Sequence, residues 1–234
     1  PSGEGLALYC DLRLSIAGRI NPATGFIINI VDIDKTARRT VVPIFSKKIR
    51  ECYLRKKNID FSTLKRIINA ASERLRSCFA ETPICDLTLK LNPCREISVD
   101  CEDMKMFYIT EKFEFAAMHK LWNDTFDEKK NLELFGKCAN PTGHGHNYVI
   151  DVTVKTGSDA FEMGTFQKTV KEQLIDIIDH KNLNEDIDAF RELNPTLENL
   201  ASFAWQKLEG KFSGSKLHSI TVWESDRTQC TFYG

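Results

Sequence analysis

Two segments of the chain alternate apolar and polar residues in the way that half-buried strands do. Tyr9 to Gly18 reads YCDLRLSIAG, and Tyr148 to Gly157 reads YVIDVTVKTG. A period of two places every second side chain on the same face of a sheet, so both segments predict strands. Because the segments share length, pattern and end residues, they also predict an internal repeat.

The helical pattern repeats as well. Residues 61–79 (FSTLKRIINAASERLRSCF) and 194–212 (NPTLENLASFAWQKLEGKF) can be laid on each other, and both show the spacing of an amphipathic helix with a Thr or Ser cap near its start. A strand follows each helix, at 87–91 and 219–223, and then another short strand. A leading strand over residues 104–117 is evident only in the second copy.

These elements predict an α+β protein built from two tandem copies of the order strand, helix, helix, strand, strand. A short polar stretch from Asp100 to Asp103 separates strand-like runs, so we expect a first domain over residues 1–102 and a second over residues 103–234. Chance similarity is the alternative explanation for two copies that differ this much.

Composition argues against several classes of partner. Lys and Arg number 32 against 33 Asp and Glu, so the chain has no overall basic field, and neither nucleic acid nor a membrane is expected as a partner. No apolar run approaches the roughly 20 residues that span a bilayer, and the first residues lack the pattern of a secretion signal. The eight cysteines form no C-x-x-C pair, which favours buried thiols over disulfides. We therefore expect a soluble cytoplasmic protein.

Residues capable of chemistry are concentrated in the second copy. GHGHN precedes Tyr148, whereas EGLAL precedes Tyr9, and the first copy contains no histidine. His144 and His146 are two apart at the start of a strand, so their imidazoles project from the same face. His119 ends the strand-like run KFEFAAMH, which can pair with that strand. Three neutral imidazoles that leave a fourth position open are typical of catalytic zinc, so we expect a Zn2+ site here.

The glycines beside these histidines, Gly143 and Gly145, are expected to leave the space that such a close approach requires. Taken alone, the H-x-H pair could equally be two surface histidines on a loop. Four of the five histidines in the chain fall within the 62 residues from His119 to His180, and this grouping favours the metal site.

Five motifs around these histidines resemble the 6-pyruvoyl-tetrahydropterin synthase family, and they occur in the order typical of that family. A segment of the first copy, TGFIINIVDID (24–34), resembles a further part of the same family. In chain order the five motifs are FAAMHKL (115–121), LFGKCANPTGHGHNY (134–148), DHKNLN (179–184), PTLENLA (195–201) and VWE (222–224).

The resemblance implies a tunnelling fold, in which antiparallel sheets with two helices on one face come from several subunits and close into a barrel. Pterin sites would lie between neighbouring units, so the chain would form a homo-oligomer, either a trimer or a hexamer. The implied enzyme is a carbon-oxygen lyase, which converts the small-molecule substrate 7,8-dihydroneopterin triphosphate to 6-pyruvoyl-tetrahydropterin with loss of triphosphate.

The resemblance also implies a role for each matching residue of the second copy. In that assignment zinc binds His119, His144 and His146, Cys138 is the catalytic base with Asp179 and His180 as its relay partners, and Glu224 anchors the pterin with help from Thr196 and Glu198.

These implied roles have structural alternatives. A dication and an imidazole lower a thiol pKa from about 8.5 to roughly 3.5–7.5, which suits Cys138 to act as a base, but Cys138 could also be a buried structural thiol. Asp179 and His180 could be only a pair at the C-terminus of a helix. Glu198 could be a first-turn carboxylate that complements the helix dipole, and Glu224 a solvated residue at a hairpin end.

Two departures from the family pattern affect the expected function. The second copy has FEMGTF (161–166) where the family has a Gly-Met-Val-type turn, and the first copy keeps that segment better, so we expect residues 1–102 to have a structural or site-completing role. A related enzyme, 6-carboxytetrahydropterin synthase, shares the fold, zinc and pterin anchor. The spacing Cys138-x5-His144 and the Asn-Pro-x-Gly insert favour the pyruvoyl enzyme. A non-catalytic protein that binds zinc and a pterin is the third alternative, because one copy has lost these residues.

Overall fold

A computed structural model describes residues 10–57, 59–79, 84–100 and 103–234 of the chain. The chain divides into two compact units. The first unit contains residues 1–109 and 156–161, and the second contains residues 110–155 and 162–234. The expected boundary stretch at 100–103 includes residues 101 and 102, which lie outside the described residues, so domains at 1–102 and 103–234 stay a prediction.

The first unit combines antiparallel strands with helices. Its strands are β1 (Asp11–Ile16), β2 (Ile84–Asn92) and β3 (Arg95–Asp100), paired in that order. Its helices are α1 (Ile30–Thr40), α2 (Val42–Leu54) and α3 (Phe61–Cys78).

The apolar alternation predicted for the first strand forms one side of the core of this unit. Leu14 of β1 pairs with Leu87 of β2, whose side chain is fully buried, and α3 contributes the fully buried Ile68 and Leu75. Tyr9, the first residue of the predicted strand, lies outside the described residues. The positions of β1 and α3 along the chain agree with the predicted elements.

The predicted Thr or Ser cap of α3 is wrong. Asp60 caps this helix, because its carboxylate accepts the backbone N–H of Thr63 at 2.7 Å. Aspartate is as good an N-cap as serine, and Asp60 stands directly before the first helical residue, one turn ahead of Thr63. In the second unit Thr196 does cap its helix, as predicted.

The remaining elements begin with β4, which enters the second unit at Thr110. In chain order they are β4 (Phe107–His119), α4 (Glu128–Phe135), a 3-10 helix (Gly136–Ala139), β5 (His144–Thr156), α5 (Met163–Val170), a π-helical stretch (Lys171–Ile175), α6 (Asp176–Ile178), β6 (Lys181–Asn182), α7 (Leu183–Asp186), a second 3-10 helix (Asp188–Phe190), α8 (Leu197–Leu208), β7 (Lys216–Ser225) and β8 (Thr228–Phe232).

The sheet of the second unit has the order β4-β5-β7-β8, with β6 paired in parallel to β4. Strand β5 pairs antiparallel with β7, and β7 pairs antiparallel with β8. The predicted alternation sets the buried face of β5, where Ile150, Val152 and Val154 are fully buried. Helix α8 packs on β7 and β8, and its Leu200 and Leu208 are buried. The strand begins at His144, so the H-x-H pair lies at its start, as predicted.

The protein is therefore a mixed α/β protein with antiparallel sheet, in agreement with the predicted class. The relation of the two units as tandem copies and the closure of a barrel by further subunits stay predictions. No helix among the described residues has the length and apolar character that crossing a bilayer would require.

Candidate metal centre

The last residue of β4 is a buried histidine. Alternate residues of this strand point into the protein, and on that face Phe115, Ala117 and His119 are 3, 5 and 3 % exposed. His119 therefore continues an apolar row, and its imidazole lies among core side chains. The prediction that KFEFAAMH forms a strand ending at His119 is confirmed.

A tight turn brings the start of β5 against the end of β4. Gly143 has a φ of +67°, and a Cβ atom there would lie 2.8 Å from the carbonyl oxygen of His119. Glycine alone tolerates this conformation together with this approach, as predicted for Gly143. The same prediction is wrong for Gly145, because a Cβ atom there would be 3.8 Å from the carbonyl oxygen of Ala117, an ordinary contact distance.

Strand β5 presents His144 and His146 on the face that also carries the buried Tyr148. Nε2 of His144 lies 3.2 Å from Nε2 of His119. The ring centroids of the three histidines are 4.6, 4.7 and 5.2 Å apart. The three histidines predicted from the sequence are thus brought together within the second unit.

A carboxylate joins this cluster from the end of β7. Oε1 of Glu224 lies 3.0 Å from Nε2 of His146 and 3.6 Å from Nε2 of His119. One ligand atom from each of these four residues lies within 4.8 Å of the others. The sequence interpretation kept Glu224 apart from the metal ligands. The register that pairs Val149 with Trp223 brings it to the histidines, and no local pattern reveals that register.

The bonding of His119 leaves one of its nitrogens free to bind a metal ion. Its Nδ1 lies 3.0 Å from the carbonyl oxygen of Pro195. Because a carbonyl only accepts, Nδ1 carries the proton and donates, which leaves a lone pair on Nε2. Burial lowers the pKa of His119, and burial also lowers the pKa of His146 against the opposing effect of Glu224. Both imidazoles are therefore held in the neutral form that a metal requires.

The cluster fits a zinc ion. Nε2 of His146 is buried without a hydrogen-bond partner, although Oε1 of Glu224 lies 3.0 Å away. Zinc–nitrogen distances of about 2.0–2.1 Å in a tetrahedron imply ligand atoms about 3.3–3.4 Å apart, close to the spacing of His119 and His144. Three nitrogens and one oxygen are a usual donor set for zinc.

Cys138 lies beside the cluster. It belongs to the 3-10 helix before the turn, and its Sγ lies 3.7 Å from Nε2 of His144. Burial raises the pKa of the Cys138 thiol, and the carboxylate of Glu224 raises it further. A thiolate at neutral pH therefore depends on the positive charge of a bound metal ion, which acts in the opposite direction.

Asp179 and His180 lie at the other edge of β4. Oδ1 of Asp179 accepts a hydrogen bond from the backbone N–H of Ala116 at 2.9 Å. The backbone N–H of His180 donates to the carbonyl oxygen of Ala116. Oδ1 of Asp179 also lies 3.0 Å from Nδ1 of His180, whose side chain is 81 % exposed. Among the described residues, no hydrogen bond or ion pair joins this pair to Cys138.

The two remaining predicted site residues lie at the start of α8. Thr196 accepts the backbone N–H of Asn199 through its hydroxyl oxygen at 3.4 Å, so it caps the helix. Glu198 is exposed in the first turn, and its carboxylate adds to the effect of burial in raising the pKa of Cys230. Because Pro195 accepts the bond from His119, this helix start is adjacent to the metal cluster.

Comparisons with known proteins cover the region that carries this cluster. A family model described as "6-pyruvoyl tetrahydropterin synthase" matches residues 108–234. The human protein named 6-pyruvoyl tetrahydrobiopterin synthase is 33 % identical over 131 residues, which are 54 % of this chain and 90 % of the relative. A Caenorhabditis elegans protein named as a putative 6-pyruvoyl tetrahydrobiopterin synthase is 32 % identical over 126 residues, 51 % of this chain and 89 % of that protein.

A solved structure leads to the same family. The Caenorhabditis elegans 6-pyruvoyl tetrahydropterin synthase aligns with a TM-score of 0.52 and 30 % identity, covering 55 % of this chain and 96 % of that one. The matched segment includes the three clustered histidines, Cys138 and Glu224. From the motifs, the assembled cluster and these similarities together, we conclude that the chain belongs to the 6-pyruvoyl tetrahydropterin synthase family.

Proposed function

We propose that the protein is a zinc-dependent pterin synthase, which converts 7,8-dihydroneopterin triphosphate to 6-pyruvoyl-tetrahydropterin and releases triphosphate. The observation that carries the proposal is the cluster of His119, His144, His146 and Glu224 with the Cys138 thiol 3.7 Å from His144. All five residues lie in the part of the chain that resembles named 6-pyruvoyl tetrahydrobiopterin synthases.

Each group in the cluster has a task in this reaction. A zinc ion held by the three histidines would act as a Lewis acid towards the oxygens of the substrate side chain and acidify the adjacent C–H and O–H bonds. Because those bonds are made acidic, a modest base suffices, and Sγ of Cys138 is proposed to take the proton. The tautomer of His119 set by Pro195 keeps its Nε2 lone pair available.

The pterin ring is proposed to be held by the carboxylate of Glu224. A carboxylate can accept two parallel hydrogen bonds, here from the ring N–H and the exocyclic amine of a pterin. Thr196 and Glu198, at the start of α8, are proposed to assist this anchor. Oε1 of Glu224 lies 3.0 Å from Nε2 of His146, so the proposed anchor is next to the proposed metal site.

The relay pair is proposed to serve a different copy of the chain. Asp179 orients His180, whose ring is exposed and so is free to reach a neighbouring molecule. If pterin sites lie between units, as the resemblance implies, His180 would exchange protons with the Cys138 or the substrate of another copy. The protein would then work as a homo-oligomer, a trimer or a hexamer.

The first unit is proposed to be a divergent tandem copy of the second unit, with a structural or site-completing role. It has no histidine, but it keeps the family-like segment at 24–34. Substitutions along that segment that lower metal content or pterin affinity would support a site-completing role. Full activity of a fragment containing only residues 103–234 would contradict it.

The decisive experiment identifies the reaction product by mass. The zinc-loaded protein should convert 7,8-dihydroneopterin triphosphate to 6-pyruvoyl-tetrahydropterin, and prior treatment with a chelator should abolish the conversion. Formation of 6-carboxytetrahydropterin and acetaldehyde would instead show the activity of the related carboxy enzyme. Metal and pterin binding without any product would favour a binding protein and refute the synthase.

A further inference from the structure

The segment that leaves His119 is irregular, yet its backbone is fully bonded. This tether segment, residues 120–123, has no helix or strand structure. Each of its four N–H groups nevertheless donates a hydrogen bond, and three of the four acceptors are asparagine side chains. The acceptors are Oδ1 of Asn184 for Lys120, the carbonyl of Cys138 for Leu121, Oδ1 of Asn194 for Trp122 and Oδ1 of Asn131 for Asn123, at distances of 2.8, 2.8, 2.9 and 2.8 Å.

The amide oxygens of the asparagines accept the hydrogen bonds that the carbonyl oxygens of a neighbouring strand would accept. In an extended chain, successive N–H groups point to opposite sides, so a strand needs carbonyl partners on both edges. On one side the tether segment meets Asn184 and Asn194, and on the other it meets Asn131 and the backbone of Cys138. Its course after His119 is therefore set by three asparagine side chains and one backbone carbonyl.

Asn194 is the member of this set that bears most directly on His119. Its Oδ1 accepts from Trp122, and the carbonyl of the next residue, Pro195, accepts from Nδ1 of the His119 ring. The carbonyl of Asn194 itself accepts from Nδ2 of Asn199 at 2.8 Å, which ties it to the start of α8. The ring of His119 and the backbone after it are thus held by consecutive residues of one anchored segment.

The same tether segment also reaches the predicted base. The N–H of Leu121 donates to the carbonyl of Cys138, so the position of the thiol residue depends on the path of the chain after His119. A change in that path would move His119 and Cys138 relative to each other. Loss of the hydrogen bond from the N–H of Trp122 to Asn194 is therefore expected to lower metal affinity by more than the net free energy of one hydrogen bond.

We propose that Asn194 is a positioning residue for the metal centre. By accepting the N–H of Trp122 it holds the tether segment against the start of α8, and this keeps Nδ1 of His119 on the Pro195 carbonyl and Nε2 within the donor cluster. The inference rests on the proposed metal site. It assigns to Asn194 a role that requires an acceptor oxygen and makes no use of its amide N–H groups.

The test replaces zinc with Co2+ in the full-length protein and measures the visible spectrum and the affinity in competition with a chelator. Asn194→Ala should weaken Co2+ binding by about 10–100-fold and alter the spectrum, as changes behind a metal ligand do. Asn194→Asp keeps an acceptor oxygen of the same reach and should restore both. Asn92→Ala is the matched control, because Oδ1 of Asn92 accepts the N–H of Cys94 at 2.8 Å in the first unit.

The outcomes separate this role from a merely structural one. A lower melting temperature for Asn194→Ala with the spectrum and affinity of the parent protein would overturn the proposal, as would an Asp variant that fails in the same way as Ala. If the Ala variant does not fold, Asn194→Gln is measured instead, because it displaces the acceptor oxygen by one methylene. It should also weaken Co2+ binding and alter the spectrum. A parent protein that binds no Co2+ would overturn the metal site itself.

Discussion

The starts of two helices show how differently the two units use similar sequence. Helix α3 of the first unit and α8 of the second align at Lys65 and Glu198. Nζ of Lys65 donates to the carbonyl of Gly157 at 2.7 Å and to Asp159 at 2.8 Å, and it lies over the ring of Phe61. Its side chain is only 12 % exposed, whereas Glu198 is exposed in the first turn of α8.

The two units differ in how many of their polar groups already have hydrogen-bond partners. In the first unit the charged group at this position is largely buried, and two of its three N–H donors are bonded to acceptors of the same unit. In the second unit the helix start carries an exposed carboxylate, and the buried Nε2 of His146 lacks a hydrogen-bond partner. A buried polar group left unpaired in a folded protein calls for an explanation, and the proposed metal ion would supply one.

The largest effect should come from Cys138→Ala. Loss of a positioned base lowers turnover by about 10²–10⁴-fold. Metal content and pterin affinity should stay close to those of the parent protein, since the three histidines remain. Steady-state kinetics and metal analysis check this, with Cys94→Ala, an exposed thiol in the first unit, as the control. Unchanged turnover would show that Cys138 is not the catalytic base.

The next effect concerns the turn between the two histidine strands. Gly143→Ala places a Cβ atom 2.8 Å from the carbonyl of His119, so that the end of β4 must shift. We expect zinc affinity to fall by about 10–100-fold, measured by competition with a chelator. Gly210→Ala is the control, because Gly210 has a φ of +70° but open space around its Cβ position. Equal losses in both variants would show that backbone strain alone is responsible.

A smaller effect is expected in the first unit. Lys65→Met should lower the free energy of unfolding by about 1–2 kcal/mol, because it removes hydrogen bonds from a largely buried charged group. Urea denaturation measures this change. Zinc content and turnover should not change. A marked fall in turnover would give the start of α3 a part in catalysis and remove the difference between the two helix starts.

The smallest effect is a pH dependence of the free energy of unfolding. It is expected from Asp60, which caps α3, and not from Thr196, which caps α8. Hydrogen bonds from Thr63 lower the pKa of Asp60, so its contribution to stability is complete above the ordinary carboxyl pKa. That contribution is lost as the pH falls through the lowered pKa of the folded state. Asp60→Asn keeps an acceptor that does not titrate, so its stability deficit at pH 7 should shrink at pH 3. A deficit that is independent of pH would contradict this.

Local patterns in the sequence predicted much of the second unit. The period of two placed His119, His144 and His146 at strand ends, and the motif order identified the family. The cap at Thr196 and the need for glycine at 143 also followed from the chain alone. These features depend on residues close in sequence, whose geometry is set by backbone sterics and by the alternation of strand faces.

Tertiary structure decided what depends on contacts between distant residues. Glu224 joins the histidines through the register of β5 with β7, and three asparagines support the tether segment across separations of 8, 64 and 72 residues. The bonds of Asp179 to the backbone of Ala116 and to the ring of His180 are further contacts of this kind, and none among the described residues joins the pair to Cys138. Pairing register and long-range side-chain bonds are chosen by the packing of the whole unit, because many arrangements satisfy the local pattern equally and only one also buries the core.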